Sequence, residues 1–229
     1  MRRVLACALV LFCAACTGQN LYTTPRTLPE DRGQVIIAPQ IAFRPKRPPM
    51  TDCSEDRCAR SDTSEKPPQF PVPHAAYRTA IGERGEVGVH GGIDAWGADG
   101  KWNALRTATF DLALFARLSY VVASLPTHRR DEPSRAHSGL LLYVPILLGL
   151  NLGRFALVAS PGYTVVVDAA GRLTHALRAG AGVQVRVTSG FALMPEASIL
   201  HDVYGPAWLD TVPAGLGFIF PNLAAPSKP

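Results

Sequence analysis

The stretch HALRAGAGVQVRVT, residues 175–188, decides the fold class of this chain. Its apolar residues alternate with polar or small ones without interruption. One face carries Leu177, Ala179, Ala181, Val183, Val185 and Val187, and the other carries Arg178, Gly180, Gly182, Gln184, Arg186 and Thr188. Side chains alternate between two faces in a β-strand, whereas a helix would mix these two sets. The stretch is therefore predicted to be a two-faced strand.

Nine more segments, separated by turn signals, are predicted as strands: 34–43, 72–81, 86–96, 101–107, 110–122, 139–150, 155–167, 191–200 and 210–220. Segment 110–122 also has apolar residues at helical spacing, so a helix stays open there. Segment 139–150 is apolar on both faces, but it is shorter than the roughly 20 residues that a membrane-spanning helix needs.

The predicted connections alternate in length. Those at 43–70, 98–100, 124–137, 168–174 and 201–207 form a mostly long set, and those at 82–85, near Thr107, at 151–154 and at 188–190 form a tight set. Long loops at one end, short turns at the other and about ten residues per strand are typical of an outer-membrane barrel. We expect an all-β fold, a single up-and-down antiparallel barrel of about ten strands, with eight to twelve as the range.

The first residues have the features of a secretory signal. Arg2 and Arg3 precede an apolar run at 4–12 and then the small residues before Cys16. This run is too short to span a bilayer as a helix. We predict a signal peptide at 1–15, a lipid-anchored flexible tether at 16–32, the barrel at 33–220 and a short tail at 221–229.

Two resemblances to known families add to these predictions. The Cys13-Ala-Ala-Cys16 run resembles the lipobox of bacterial lipoproteins, and this resemblance implies that diacylglycerol is attached to Cys16. The motif usually has Leu at the position of Cys13. The alternative is ordinary signal-peptidase cleavage near Ala15. Thr17 after the cysteine points toward the outer membrane. Residues 33–220, with the apolar closing strand that ends at Phe220, resemble small outer-membrane β-barrels of Gram-negative bacteria, although nine residues follow Phe220.

Composition narrows the function classes. The formal charge of +5 comes from 23 basic and 18 acidic residues, and loss of Arg2 and Arg3 leaves 21 against 18, or +3. No dense basic run predicts nucleic-acid binding. Cys53 and Cys58 lie in a short polar stretch and are predicted to form a local disulfide in an oxidising compartment, with half of a metal site as the alternative. No metal or cofactor is predicted.

If the apolar faces meet lipid, ten polar side chains point into the lumen: Arg78, Glu86, His90, Asp94, Asp111, Arg117, Arg178, Gln184, Arg186 and Glu196. Charges inside a narrow barrel need partners, so this set predicts a salt-bridged, structural interior. A narrow polar conduit for small solutes is an alternative.

Two further classes stay open. A lipid-modifying barrel enzyme would draw on His90, Asp94, His137 and Ser138, but no hydrolase or metalloprotease motif occurs and no enzyme is predicted. The runner-up is a lipid-anchored, lipocalin-like periplasmic barrel whose apolar faces point inward around an apolar ligand.

The expected partners follow from the fold. Lipid would contact an aromatic girdle of Trp96, Trp102, Tyr120, Tyr143, Tyr163, Tyr204 and Trp208. The loop at 43–70 could meet lipopolysaccharide phosphates or an envelope protein through Arg44, Lys46 and Arg47. The predicted location is the outer membrane, with the periplasmic face as the alternative. The sequence predicts no oligomeric state.

Overall fold

The computed structural model describes residues 20–30, 32–43, 51–54, 57–60, 71–93, 95–123, 137–169, 171, 173–203 and 212–224. Within these ranges, no helix is long and apolar enough to cross a membrane. In chain order the strands are β1 (Arg32–Phe43), β2 (Thr51–Ser54), β3 (Arg57–Arg60), β4 (Val72–Ile81), β5 (Gly85–Gly92), β6 (Ala95–Arg106), β7 (Phe110–Ala123), β8 (His137–Leu152), β9 (Phe155–Asp168), β10 (Leu173–Thr188), β11 (Phe191–Asp202) and β12 (Val212–Ala224).

Ten of these strands close into one barrel. Each strand from β4 to β12 pairs antiparallel with the next along the chain, and β1 closes the ring by pairing with both β4 and β12. In the closing registers, Val35 faces Phe220 on one side and Tyr77 on the other. The predicted all-β, ten-stranded up-and-down barrel is confirmed.

The two ends of the barrel differ. At one end, here called the turn end, the strands are joined by the short connections 82–84, 107–109, 153–154 and 189–190. Gly82 and Gly153 begin two of these turns with φ of 72° and 66°, a backbone region that glycine enters without steric cost. At the opposite end, here called the loop end, lie the connections 44–71, 93–94, 124–136, 169–172 and 203–211.

Two predicted boundaries were wrong. The predicted loop at 98–100 lies inside β6, and β5 and β6 are instead joined at 93–94. Gly97 and Gly100 suggested a turn, but Gly97 serves close strand packing, since a Cβ there would collide with the Leu118 carbonyl of β7. At the C-terminus, β12 continues to Ala224, so part of the predicted tail is strand.

The outer surface of the barrel is apolar. Val89 and Trp96 are 59% and 58% exposed, and large apolar side chains stand outward on the strands around the ring. Others include Ile81, Leu118, Leu142, Leu152, Phe155, Leu177 and Ile199. The opposite faces bury charged and polar residues. This orientation is the reverse of the lipocalin-like alternative, which required an apolar interior.

The short hairpin of β2 and β3 lies within the connection 44–71 and forms its own two-stranded sheet. Its register sets Cys53 directly opposite Cys58. Opposed residues in an antiparallel pair have the backbone separation that a disulfide can bridge. The disulfide itself stays a prediction, because the register describes the backbone alone. Arg44, Lys46 and Arg47 lie outside the described residues.

Candidate functional site

The lumen of the barrel contains the chain's own N-terminal segment, residues 20–29, here called the plug. Asn20, Leu21, Tyr22 and Thr23 are 3% exposed or less, and Thr27 is also buried. The sequence placed these residues in a flexible tether, and the structure instead encloses them within the strands. The reason is that their main-chain groups find partners on the inward faces of the barrel.

The strand number explains why a plug fits. Ten strands about 4.8 Å apart, tilted by about 40°, make a ring of roughly 10 Å radius. Side chains fill the interior of an eight-stranded barrel, so a ten-stranded one keeps additional space along its axis. One extended chain occupies that space here. The plug therefore completes the core of the barrel.

Glu196 of β11 holds the inner part of the plug. Its two carboxylate oxygens accept hydrogen bonds from the backbone N–H groups of Leu21 and Tyr22, at 2.9 and 2.6 Å. The side-chain amide of Asn20 donates to the Glu196 carbonyl at 3.0 Å, and its oxygen accepts from the Ser198 hydroxyl at 2.9 Å. The Asn20 N–H donates to the Gln40 side chain at 3.0 Å.

Cationic side chains of the wall bind the carbonyl oxygens of the plug. Arg117 donates to the Asn20 carbonyl at 3.3 Å, and Arg78 donates to the Leu21 carbonyl at 3.1 Å. Lys101 donates to the carbonyls of Thr24 and Arg26, at 2.8 and 3.0 Å. These groups recognise main-chain atoms, and they satisfy buried polar groups that would otherwise destabilise the fold.

The last part of the plug is fixed at the turn end. Arg26 forms a two-pronged ion pair with Asp111, with nitrogen–oxygen distances of 2.9 and 3.3 Å. The Thr27 hydroxyl donates to the Glu83 carbonyl at 2.9 Å. The Leu28 N–H donates to Glu86 at 2.6 Å, and the other oxygen of Glu86 lies 2.9 Å from the Lys101 ammonium. The chain then turns into β1.

Glycines of β12 make room for Tyr22. A Cβ at Gly217 would lie 2.7 Å from the Tyr22 ring, and one at Gly215 would collide with the Tyr22 hydroxyl. Tyr22 has a φ of 47°, and holding a residue other than glycine in this left-handed conformation costs about 1–3 kcal/mol. The hydrogen bond from its N–H to Glu196 and the surrounding packing, which includes Ile36, Met194 and Ile219, hold it there.

Asp99 of β6 is the centre of the buried ion pairs in the wall. Its carboxylate lies 2.9 Å from Arg78 Nε and 3.2 Å from Arg117 Nη2. All three side chains are at most 1% exposed. Gly88 leaves the space for this cluster, since a Cβ there would lie 2.6 Å from Arg78 Cγ. The two arginines thus join Asp99 to the carbonyls of the plug.

The ring of His90 lies beside the same carboxylate. Its Nε2 is 2.9 Å from the Ser119 hydroxyl, and its Nδ1 is 3.5 Å from Asp99 Oδ2. The order of groups is that of a serine nucleophile, a base and an acid. The Ser119 residue is fully buried, however, and Asp99 is engaged by two guanidinium groups. The serine beside His90 is Ser119, whereas the sequence considered Ser138.

The structure places the predicted lumen residues in two groups. Arg78, Glu86, His90, Asp111, Arg117, Arg178 and Glu196 are buried in the interior. Gln184 and Arg186 are less buried, and together with Glu86 they line a cavity of about 470 Å³ between the plug and the wall, near the turn end. Asp94 lies outside the described residues, and so does the side chain of His137. Within the described ranges, no three metal-ligating side chains are grouped closely enough to hold a metal ion.

The residues of the predicted aromatic girdle also fall into different groups. Trp96, Trp102, Tyr120 and Tyr163 are exposed on the outer surface, and Trp96 packs edge-on against Tyr120 with ring centroids 5.4 Å apart. Tyr143 points inward, because the odd-numbered residues of β8 face the lumen; its hydroxyl donates to the Ser160 carbonyl at 2.9 Å. Tyr204 and Trp208 lie outside the described residues.

Sequence reasoning missed Asp99 because 98–100 was predicted to be a loop, and it also missed Lys101 and Asn103 on the predicted strand 101–107. The signal was present in the alternation of β6. Ala95, Asp99, Lys101 and Asn103 are buried, while Trp96, Ala98 and Trp102 are exposed. His74 and Gln40 are also buried, on strands whose existence was predicted.

We expect that Glu196→Gln loosens the plug. The amide retains one acceptor but loses the negative charge that binds two backbone donors, and a hydrogen bond to a charged group is worth about 1.5–3 kcal/mol. A Thr23→Cys reporter, buried in the parent, should then react with a maleimide about 10- to 100-fold faster in purified protein, since each 1.4 kcal/mol is about tenfold. Glu83→Gln, at an exposed carboxylate of the turn end, is the matched control; equal rates in the two variants would contradict the assignment.

Comparison with known proteins yields similarities of fold alone. No protein-family model matches the chain, and no curated protein matches it in sequence. Among solved structures, it resembles the translocator domain of the autotransporter NalP from Neisseria meningitidis, with 11% identity, a TM-score of 0.38 and coverage of 96% of this chain and 93% of that one. It also resembles the attachment invasion locus protein Ail of Yersinia pestis, with 12% identity, a TM-score of 0.28 and coverage of 84% and 100%.

A third similarity is to neisserial surface protein A, with 11% identity, a TM-score of 0.22 and coverage of 82% of this chain and 95% of that one. At these values the similarities carry no argument about function. The function is therefore inferred from the closed barrel, its apolar exterior and its plugged polar lumen.

Proposed function

We propose that this chain is an outer-membrane β-barrel protein, closed by its own plug, with a structural or interaction role in the cell envelope. The belt of large apolar side chains around the barrel carries this proposal. Soluble monomers rarely expose contiguous apolar patches above a few hundred Å², and this surface encircles the protein. A lipid surface is the partner that such a belt fits.

The strand lengths agree with this placement. Barrel strands rise about 3.3 Å per residue and tilt by about 40°, so ten residues climb roughly 25 Å, the height of the lipid-facing band of such barrels. The barrel strands are 8 to 16 residues long, and the two shortest are β5 and β4. Trp96, near the loop end of β6, would then lie close to one lipid–water interface, and Trp102, roughly 15 Å further along the axis, would lie within the lipid-facing band.

The plug supports a structural role over a solute conduit. The extended segment occupies the axis of the lumen, and its main-chain groups are bound on several sides by charged groups of the wall. We also propose that the protein is not an enzyme. Support comes from the burial of Ser119, which leaves its hydroxyl out of reach of a substrate.

Three finer features belong to the same proposal. The signal at 1–15 and a lipid on Cys16 would bring the chain to the outer membrane. A Cys53–Cys58 disulfide would staple the hairpin, and alkylation with a mass shift only after reduction would establish it. Through Arg44, Lys46 and Arg47, the connection 44–71 would contact lipopolysaccharide phosphates or an envelope protein.

The test is the Cys16→Ser variant, expressed with its signal and followed by fractionation. The variant removes the predicted lipid but leaves the apolar belt unchanged. We expect it to stay in the outer membrane, to resist extraction with carbonate and urea, and to dissolve only in detergent.

Release of the variant as a soluble periplasmic protein would overturn the membrane-spanning proposal, because the lipid would then be its only anchor.

The double variant Leu118→Arg/Leu142→Arg is the matched comparison. Each residue is exposed on the apolar surface, and each Arg should cost about 2–4 kcal/mol near the bilayer midplane, so this protein should assemble poorly.

A further inference from the structure

The cavity near the turn end, of about 470 Å³, lies inside the barrel between the plug and the wall. Its volume is within the roughly 300–1,000 Å³ of typical small-molecule sites. Residues of the plug line it together with residues of β1, β5, β6, β8, β10, β11 and β12. The strands therefore separate this cavity from the surroundings of the apolar outer surface.

The described ionisable side chains that line the cavity are four cations and one anion. They are Arg26, Lys101, Arg106, Arg186 and Glu86. Lys101 Nζ lies 2.9 Å from Glu86, and Arg26 is paired with Asp111. Arg106 and Arg186 form no ion pair with any residue that the structure describes. In this part of the chain, the cavity thus has two positive charges that no carboxylate balances.

A β-bulge turns Arg106 toward the cavity. The register between β6 and β7 shifts between Asn103 and Leu105, and Arg106 then lies opposite Asp111. Asp111 is buried on the lumen face, and residues directly opposite each other share a face of the sheet. Without the extra residue, the alternation of β6 would place Arg106 on the outward face with Trp102. Bulges often redirect a side chain beside a functional site in this way.

Arg186 approaches the cavity from another part of the wall. Its register partner on β11, Ala192, is 1% exposed and faces the lumen. β10 is four strands from β6 around the ring, so their backbones lie roughly 19 Å apart in a ring of about 10 Å radius. Two long side chains that point inward from these strands can contact one ligand. Gln184, which also lines the cavity, adds a neutral amide donor.

We infer that this cavity binds a small soluble organic anion through its phosphate or carboxylate oxygens, between Arg106 and Arg186. A guanidinium group presents a planar fork of N–H donors that matches these oxygens. Attraction between charges is stronger in a partly enclosed site than in bulk water. The ligand reaches both arginines from the water at the turn end, since each is exposed. This binding site goes beyond the structural role proposed above.

Isothermal titration calorimetry of the full chain, purified in a non-ionic detergent at low salt, tests the inference. The titrants are glycerol 3-phosphate and citrate, with glycerol as the neutral control. Arg106→Gln and Arg186→Gln each remove one charge and keep a long polar side chain. Arg154→Gln is the matched control, because Arg154 is an exposed arginine of the turn end that does not line the cavity.

We expect at least one of the two anions to bind with a Kd below about 1 mM, and glycerol to give no binding heat. Arg106→Gln and Arg186→Gln should each weaken anion binding about tenfold or more, because a hydrogen bond to a charged group is worth at least that factor. Arg154→Gln should change it by about twofold or less, as expected for a solvated surface charge.

Three results would overturn the inference. They are no anion binding to the parent chain, unchanged binding in both cavity variants, and a loss in Arg154→Gln as large as in those variants, which would assign the attraction to the overall charge of the turn end. None of them bears on the membrane-spanning proposal, because the titration is done in detergent and fractionation of Cys16→Ser tests that proposal separately.

Discussion

Deletion of residues 20–29 should convert a closed barrel into an open one. In planar lipid bilayers, the full chain should leave the current near its baseline, and the deletion variant should show discrete conductance steps with ion flux raised about tenfold or more. The physical reason is that a ten-stranded barrel holds more axial space than its inward side chains fill, and the plug occupies that space. Removing it also exposes Glu196, Lys101 and Arg78 to water, which favours a hydrated lumen.

A deletion of equal length supplies the control. Residues 61–70 lie in the connection between β1 and β4, so their loss shortens the chain by the same amount and leaves the plug in place. That variant should remain closed. Equal conductance in the two deletion variants, or none in either, would show that the plug does not close the lumen.

Asp99→Ala should be the most destabilising single substitution among the wall residues. It leaves the guanidinium groups of Arg78 and Arg117, each 1% exposed, without their shared carboxylate. Removing one partner of a buried ion pair costs about 3–5 kcal/mol, because the remaining charge is buried without compensation. Urea unfolding from lipid vesicles, monitored by tryptophan fluorescence, measures this change.

Two comparisons separate charge from shape in that experiment. Glu83→Ala removes an exposed carboxylate and should change the free energy of unfolding by about 0.5 kcal/mol or less. Asp99→Asn keeps the side-chain volume and removes the charge, so it should lose most of the same stability. A loss below about 1 kcal/mol in Asp99→Ala would mean that water already reaches both arginines.

The strands were predictable because a barrel wall has lipid on one face and a polar lumen on the other. That contrast imposes period two on the sequence, as in β10, where Leu177 is exposed and Arg178 is buried. The same rule placed Arg117 and Glu196 in the interior. It failed at β6, where Gly97 and Gly100 resembled turn residues although close packing between strands explains Gly97.

The plug was not predictable by the same means. A segment bound through its main chain carries no periodic pattern, since Leu21 and Tyr22 are recognised by their N–H groups. The carboxylate that binds Leu21 belongs to a residue 175 positions further along the chain. Pro25 and Thr23, which suggested a tether, suit an extended chain inside the barrel equally well. The sequence predicted a narrow interior filled by paired side chains, whereas a ten-stranded lumen has axial space that one more chain can fill.

The most direct measurement of plug occupancy is disulfide formation between Tyr22→Cys and Gly217→Cys, in a chain whose Cys16, Cys53 and Cys58 are replaced by Ser. A Cβ at Gly217 would lie 3.2 Å from Tyr22 Cβ, close to the roughly 3.5–4.5 Å that disulfides prefer. Tyr22→Cys paired with Gly149→Cys, which faces Pro25, is the control. A plugged barrel predicts near-complete cross-linking of the first pair in membranes and little of the second; a first pair that stays reduced under oxidation would contradict it.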